Sequence, residues 1–448
     1  MVRYSTIRSA YWRLTGYPAA EYKRLLAESE SWSTERLQAY RDEKVHNLIA
    51  HCYEHVPYYR KVMGERGLRP ADFQLAKDLE KLPVLTKPMI REHQRQMLAD
   101  NLEGMSVSWS KTGGTTGEPM RVAHSRDCIA WATMCYERGL GWGGWTVDRR
   151  RVRLFGGSLG IDRLSPRRRL GRWLQRDVFV PAFELTRANA PEYFERIERS
   201  GARFLVGYAS AIYRLAILSE ELCANISFDS VFPTAELLLP HWRETIERAF
   251  GCRVLPYYGS GEVASLGYYS DDIGAYKIPD EHTVIEIWKA DDSTAMSGDG
   301  RFLITDLDNY AMPMIRYANG DAGKIAKHGS LAPGSCIERL DGRYNSLLMT
   351  DTGDLISGVI GTHVFRHFPS VGRYRIIQEA PLEVLIQVVV DEGLDPRDQR
   401  RIIEVFQKHL GSRMVIRVER VEKLPQMASG KSVFVINHCL EGSVPQDS

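Results

Sequence analysis

A dense run of glycine and threonine, Ser110-Lys111-Thr112-Gly113-Gly114-Thr115-Thr116-Gly117-Glu118-Pro119, carries the sharpest chemistry in this chain. Its three glycines let backbone N–H groups turn toward one point without a Cβ clash, and its three threonine hydroxyls add donors. With Lys111 beside them, such a loop can wrap a polyphosphate. It is not the common NTPase loop, because no Lys-Ser/Thr pair follows the last glycine. Tyr258-Gly259-Ser260-Gly261-Glu262 follows an apolar run over 254–257. That puts a carboxylate at a strand's end, where ligands of open α/β sheets gather. A carboxylate there suits magnesium held through phosphate oxygens. Next come Thr305-Asp306-Leu307-Asp308-Asn309, Met312-Pro313-Met314-Ile315-Arg316-Tyr317 and Asn319-Gly320-Asp321. An Asp after Gly, past a strand, can accept both hydroxyls of a ribose. Gly342-Arg343, Leu424-Pro425 and Ser429-Gly430-Lys431 complete the series. Singly, each short segment also reads as a capped turn, a salt bridge or a surface lysine.

The elements that must position these residues follow from pattern. Residues 34–62 read as helical, with Leu37, Tyr40, Val45, Leu48 and Ile49 forming a stripe that ends at Val56-Pro57. Between about 150 and 330, strand-like runs at 152–155, 203–206, 231–233 and 253–257 alternate with helix-like runs. Helices over 191–199 and 240–250 each open with a proline suited to the first helical position. This is the pattern of an α/β domain with a largely buried sheet. The last hundred residues differ. Leu382, Val384, Ile386, Val388 and Val390 alternate over a strand; 394–410 carries Ile402, Val405, Phe406, His409 and Leu410 at helical spacing; 414–421 returns to strand. That succession indicates a small α+β domain of its own.

Composition sets outer bounds. The 448 residues include 59 Lys+Arg and 57 Asp+Glu, with 44% hydrophobic and 26% charged residues. Those values are near the average for soluble globular proteins and exclude a disordered, fibrous or membrane-embedded chain. No run approaches the ~18 apolar residues of a spanning helix. Residues 1–17 lack an apolar signal core, so a cytoplasmic location is expected. The seven cysteines contain no C-x-x-C pair and read as reduced thiols. Ten arginines fall between Arg149 and Arg176. They suit a phosphate, a carrier protein or a membrane surface, or simply a solvated face. No nucleic-acid partner is expected of a nearly neutral chain without a recognisable module. His51 with His55, and His363 with His367, have a spacing open to metal. No acidic or cysteine cluster joins either pair, so they read as core or surface histidines, and Cys128 and Cys135 as packing residues.

In this order, the motifs resemble those of the adenylate-forming superfamily, which includes acyl-CoA synthetases, adenylation domains and luciferase-like enzymes. Val56-Pro57-Tyr58-Tyr59-Arg60, Leu82-Pro83-Val84-Leu85-Thr86-Lys87, Gly207-Tyr208-Ala209-Ser210 and Ala311 through Tyr317 look like its phenylacetate–coenzyme A ligase and CapK-like branch. The resemblance spans about 35–437. It implies a large α/β domain of mixed sheets and helices, 1–344, which binds ATP and a carboxylic acid. A small mobile α+β lid, 345–448, would carry a catalytic lysine. Residues Thr112, Gly113, Gly114, Thr115, Thr116 and Gly117 would cradle the pyrophosphate end of ATP, and Glu262 would help hold Mg²⁺. Ala235, Glu236, Tyr257 and Tyr258, with Gly259 and Ser260, would line the nucleotide. Asp321 would bind the ribose beside Arg343. Gly207, Tyr208 and Ser210 would border the acid, although Tyr208 also suits a packed core. Asn345 would be the hinge, and Lys431 would reach the carboxylate and the α-phosphate. The activity implied is formation of acyl-AMP with release of pyrophosphate, then transfer of the acyl group, with coenzyme A the expected acceptor.

Five positions depart from the family pattern. Met120 replaces a common lysine, Gly261 a threonine, and Asn345 an Asp or Lys. Acidic Asp351 and Asp354 stand where many coenzyme A ligases are basic. They keep an amine acceptor, or transfer of AMP to a small molecule, as alternatives. A silent nucleotide-binding scaffold is the non-enzymatic alternative.

Overall fold

The Ser33 hydroxyl accepts a hydrogen bond from the Arg36 N–H at 3.3 Å and opens the helix Thr34–His55. Val56, extended ahead of a proline, stops it, and Pro57 begins the next helix, Pro57–Glu65. The helical stretch read over 34–62 is therefore two helices hinged at one restricted residue. The computed structural model describes residues 3–111, 121–155, 177–182, 185, 187–263, 265–343, 347–353, 355–357, 360–365, 367–368, 370–390, 394–424 and 435–440. They form two compact units, one of 1–319 with 323–340, the other of 320–322 with 341–448.

The first unit contains a five-stranded parallel sheet in the order Val178–Pro181, Arg151–Phe155, Phe204–Tyr208, Ser230–Thr234, Arg253–Val254. Strands Phe204–Tyr208 and Ser230–Thr234 are buried at every residue, as parallel strands covered on both faces are. Helices Ala190–Ser200 and Pro240–Phe250 each carry Pro in the first turn and end on a left-handed Gly. The run over 253–257 is divided. Beyond Pro256, which has no N–H for a ladder, Tyr257–Tyr258 joins a second sheet. That sheet has eight strands, ordered Thr294–Ala295, Thr283–Trp288, Gly298–Asp306, Tyr317–Ile325, Cys336–Arg343, Ala275–Lys277, Gly267–Ser270, Tyr257–Tyr258. A separate antiparallel hairpin pairs Val107–Lys111 with Arg121–Ser125, from Val107 opposite Ser125 to Lys111 opposite Arg121.

Val45, Leu48, Ile49 and Cys52 of the long helix pack in one core with Phe73, Ile304, Met312 and Tyr317. The polar edge of this helix is tied down by buried charge. Lys44 bonds the Asp308 carboxylate and donates to the Glu281 carbonyl at 2.9 Å. His282 meets Asp308 at 2.7 Å and lies 3.8 Å from Asp306, under the parallel Trp131 ring. Arg138 holds Glu281 at 2.7 and 3.0 Å. Burial draws the His282 imidazole down, but Asp306 and Asp308 outweigh it and hold it above the ordinary histidine value.

In the second unit a four-stranded mixed sheet runs Val415–Arg420, Glu383–Val390, Val371–Ala380, Val435–Asn437. Val384, Ile386, Val388 and Val390 point inward at every second position. Leu382 lies one residue before that strand and is exposed. Helix Pro396–Leu410 lays Ile402, Phe406 and Leu410 on the sheet. The α+β order read from sequence is present, with Val371–Ala380 added as a second inner strand and Val435–Asn437 as an edge strand. Among the described residues no helix is long and apolar enough to cross a membrane.

Candidate active site

Two parallel strands end side by side at Tyr208 and Thr234; Gly207 and Tyr208 close the first of them, and Ser210, Ala235 and Glu236 follow just beyond the strand ends. Gly207 is glycine because the adjacent strand lies too close for a side chain: a Cβ would sit 2.4 Å from the Leu154 carbonyl oxygen. Tyr208 is buried and meets Phe155 edge-on at 5.2 Å, which gives it a packing role. The Ser210 N–H, in the first turn of helix Ala209–Glu221, donates to Glu236 Oε2 at 2.8 Å. A carboxylate there complements the helix dipole. Ala235 has φ +65°, a left-handed conformation that strains a residue with a Cβ.

The second group sits on the edge of the eight-stranded sheet. Tyr257 is flanked by Tyr136, edge-on at 5.5 Å, and stacks on Tyr268 at 5.9 Å. Its hydroxyl is pushed up by burial. The Tyr258 hydroxyl accepts a hydrogen bond from Asn319 Nδ2 at 2.7 Å. Gly259 leads into a tight turn in which Ser260 Oγ accepts the Val263 N–H at 2.9 Å and donates to the Val263 carbonyl at 3.0 Å. This turn fixes Glu262, which is only 7% exposed.

Glu262 has two partners that the motifs did not assign to it. The Tyr317 hydroxyl donates to Oε1 at 3.1 Å, and the Lys87 ammonium lies 3.4 Å from the same oxygen. Lys87 is brought there by long-range pairing. The Leu85 N–H donates to the Arg316 carbonyl at 3.0 Å, and the Ala318 N–H donates to the Leu85 carbonyl at 2.9 Å, clasping Tyr317 between them. Arg316 is a structural residue. Its Nε lies 3.2 Å from both oxygens of Glu286, and its Nη2 donates to Thr294 Oγ1 at 3.1 Å. His124, on the glycine–threonine hairpin, meets Ser110 Oγ at 3.0 Å. Burial lowers His124 below the ordinary histidine value, against the pull of Asp306 and Glu262. The stem of the hairpin thus lies within the electrostatic reach of Glu262. Lys87 stood in a quoted motif, and His124 carried no sequence signal beyond lying next to the loop.

Asp321 is half-buried on strand Tyr317–Ile325, four residues after the tyrosine on Glu262. Arg343 ends strand Cys336–Arg343, but its side chain lies outside the described residues. So do Thr112, Gly113, Gly114, Thr115, Thr116, Gly117, Met120, Asn345, Asp354 and Lys431. Asp351 is used within its own unit, accepting the Arg413 N–H at 3.2 Å beside the end of helix Pro396–Leu410. Its charge is therefore spent locally, and it is no argument against an anionic acceptor. The arginine-rich stretch is likewise partly internal. Arg149 pairs with Asp229 at 2.8 Å, Arg150 donates to the Ser200 carbonyl at 2.6 Å, and Arg151 and Arg153 reach Asp177 at 3.3 and 3.9 Å. The other six arginines lie outside the described residues. His51 is bonded to the Tyr310 carbonyl and His55 to Asp100, as structural histidines are. His282, Asp306 and Asp308 have metal-ligand types within 4.8 Å of one another, and within this cluster both Lys44 and His282 are bonded to the Asp308 carboxylate.

Residues 348–438 match the family model described as the CapK C-terminal domain. Phenylacetate–coenzyme A ligase of Escherichia coli (strain K12) is 27% identical over 346 residues, covering 71% of this chain and 74% of that one. Protein CapK of Staphylococcus aureus is 22% identical over 443 residues, covering 95% and 93%. Among solved structures, 2-hydroxyisobutyryl-CoA ligase in the postadenylation state aligns with a TM-score of 0.68 at 18% identity, over 89% of this chain and 88% of that one. The amide bond synthetase McbA from Marinactinospora thermotolerans aligns with 0.51 at 19% identity, over 73% and 68%. The fold is that of the 2-hydroxyisobutyryl-CoA ligase structure, and the chain's sequence relatives include phenylacetate–coenzyme A ligases and Protein CapK.

Proposed function

We propose that the protein activates a carboxylic acid with ATP, giving acyl-AMP and pyrophosphate, and then passes the acyl group to coenzyme A. In the first step a carboxylate oxygen bonds the α-phosphorus and the bond to pyrophosphate breaks. In the second, the thiol sulfur attacks the acyl carbonyl, AMP leaves and the thiol proton is released. The first step brings two anions together, so oriented donors and positive charge are needed where the charge builds up. Amides and hydroxyls from Thr112 to Gly117 cradle the pyrophosphate end. Ala235, Glu236, Tyr257 and Tyr258 flank the base, with Gly259 and Ser260 also lining the nucleotide. Asp321 accepts from the ribose hydroxyls next to Arg343. Gly207, Tyr208 and Ser210 border the acid. A small domain hinged at Asn345 brings Lys431, a compact point charge on a flexible stem, to the reacting oxygens.

Glu262 is the residue that would hold Mg²⁺. The donor set fits, since this ion commonly takes one or two carboxylates and completes its shell with phosphate and water. When bound, it neutralises phosphate charge. The observation that carries the proposal is the buried Glu262 carboxylate, fixed by Tyr317 and Lys87 within electrostatic reach of the glycine–threonine hairpin. A dependence on ATP and coenzyme A suits a cytoplasmic setting.

ATP–pyrophosphate exchange over a panel of aliphatic and aromatic acids tests the first step. An acid-dependent exchange is expected, with free thiol falling once coenzyme A is added. No exchange with any acid would favour the scaffold. Exchange without thiol loss, but with amide formed from an added amine, would move the acceptor to nitrogen.

A further inference from the structure

We propose that the outward face of the N-terminal helix Tyr4–Thr15 docks the protein on an anionic membrane surface. Ile7, Tyr11 and Leu14 are 41%, 59% and 87% exposed. At 3.6 residues per turn they fall within about 60° of one another and form one stripe. Arg3, one turn before Ile7, continues it. Eight large hydrophobic side chains are exposed among the described residues, and this 12-residue helix carries three of them.

The stripe cannot roll inward, because the opposite face is fixed. Trp12 is buried, and Arg8 lies over its ring at 4.4 Å while donating to Glu137 Oε2 at 2.7 Å. The Ser5 N–H and hydroxyl both donate to Asp148, at 2.8 and 2.6 Å. The carboxylates in contact with this helix, Asp148 and Glu137, are thereby engaged.

Charge selects the occupant. Arg3 and Arg13 are exposed, and Arg126 donates to the Thr15 carbonyl at 2.7 Å at the end of the helix. Residues 1–20 include no Asp or Glu. Area points the same way. A helix about 18 Å long with three apolar side chains falls well short of the roughly 800 Å² per partner of a stable protein interface. A bilayer asks less. An apolar stripe that sinks about 5–10 Å among the headgroups, with cations beside anionic lipid, makes a reversible peripheral contact. The helix is too short to span a membrane, which takes about 20 residues.

The test is co-sedimentation of the full chain with vesicles of phosphatidylcholine alone, or with one third phosphatidylglycerol. Binding is expected only to the anionic vesicles and should weaken as salt is raised. The double variants Ile7→Ser with Leu14→Ser, and Arg3→Ser with Arg13→Ser, should each partition about tenfold or more weakly. Both should keep the wild-type unfolding temperature and ATP–pyrophosphate exchange rate. Wild-type protein left in the supernatant with both vesicle types would overturn the proposal, as would equal binding by the variants. A wild-type dimer in sedimentation velocity that Ile7→Ser with Leu14→Ser converts to monomer, without vesicle binding, would instead make this face a contact between copies.

Discussion

Replacing Lys87 by methionine keeps the length of the side chain and removes its charge. The ammonium lies 3.4 Å from Glu262 Oε1, and at an effective dielectric of about 20 that separation corresponds to about 5 kcal/mol of attraction. The Lys87 side chain is 27% exposed, so water screens part of this. A charge-assisted contact of this kind is worth about 1–3 kcal/mol net. If the pair holds the Glu262 carboxylate in place for adenylation, Lys87→Met should lower kcat/KM in ATP–pyrophosphate exchange by about ten- to a hundredfold. Lys87→Arg should restore part of it. The discriminating measurement is a double-mutant cycle with Glu262→Gln. The two residues touch, so the losses should fall short of additive by about 1–2 kcal/mol. Losses that add to within about 0.5 kcal/mol would show that Lys87 and Glu262 act separately and would refute the reasoning. Circular dichroism and thermal unfolding of each variant separate this from a loss of fold.

Asp321→Ala should raise the apparent KM for ATP roughly tenfold or more, because hydrogen bonds to a charged acceptor are worth about 1.5–3 kcal/mol each; unchanged activity at low ATP removes Asp321 from the site. Lys431→Ala should slow acyl-AMP formation by about a hundredfold or more, on the order of 3 kcal/mol, while synthetic acyl-AMP is still consumed at a near-normal rate. Equal loss in both half-reactions argues against a lysine that visits for one step only. His282→Gln tests the buried network. Because the folded protein holds the His282 proton more tightly than the unfolded chain, its contribution to stability is present below about pH 6.5 and is lost as pH rises through the raised value. The variant should be destabilised more at acid than at alkaline pH in denaturant titrations, and a pH-independent difference would assign His282 a packing role alone.

What could be read from the chain was local. Pro57 announced its helix break, Pro240 its helix start, and Val384 to Val390 their alternation, because each depends on neighbours in sequence. The eight-stranded sheet was not readable. Several of its strands, such as Thr294–Ala295 and Ala275–Lys277, have two or three residues and exist only through their partners. The site divides along the same line. Glu262 was marked by the turn that presents it, whereas its contact with Lys87 depends on Leu85 pairing beside Tyr317, more than two hundred positions away. Arg316 and Asp351 show the reverse. Both stand in or near motif segments, yet their charges are spent on Glu286 and on Arg413.

The 2.8 Å hydrogen bond between the Ser210 N–H and Glu236 has a consequence for anyone redesigning this protein. Under the proposed function it fastens two segments that would have different duties, one bordering the acid and the other the adenine. A substitution meant only to admit a bulkier acid near Ser210 will also shift Glu236, and with it Ala235, whose left-handed backbone leaves little room to adjust. Acid preference and nucleotide affinity should therefore drift together in libraries built on 207–210. Selections run at saturating ATP would hide that linkage, whereas selections at scarce ATP would expose it.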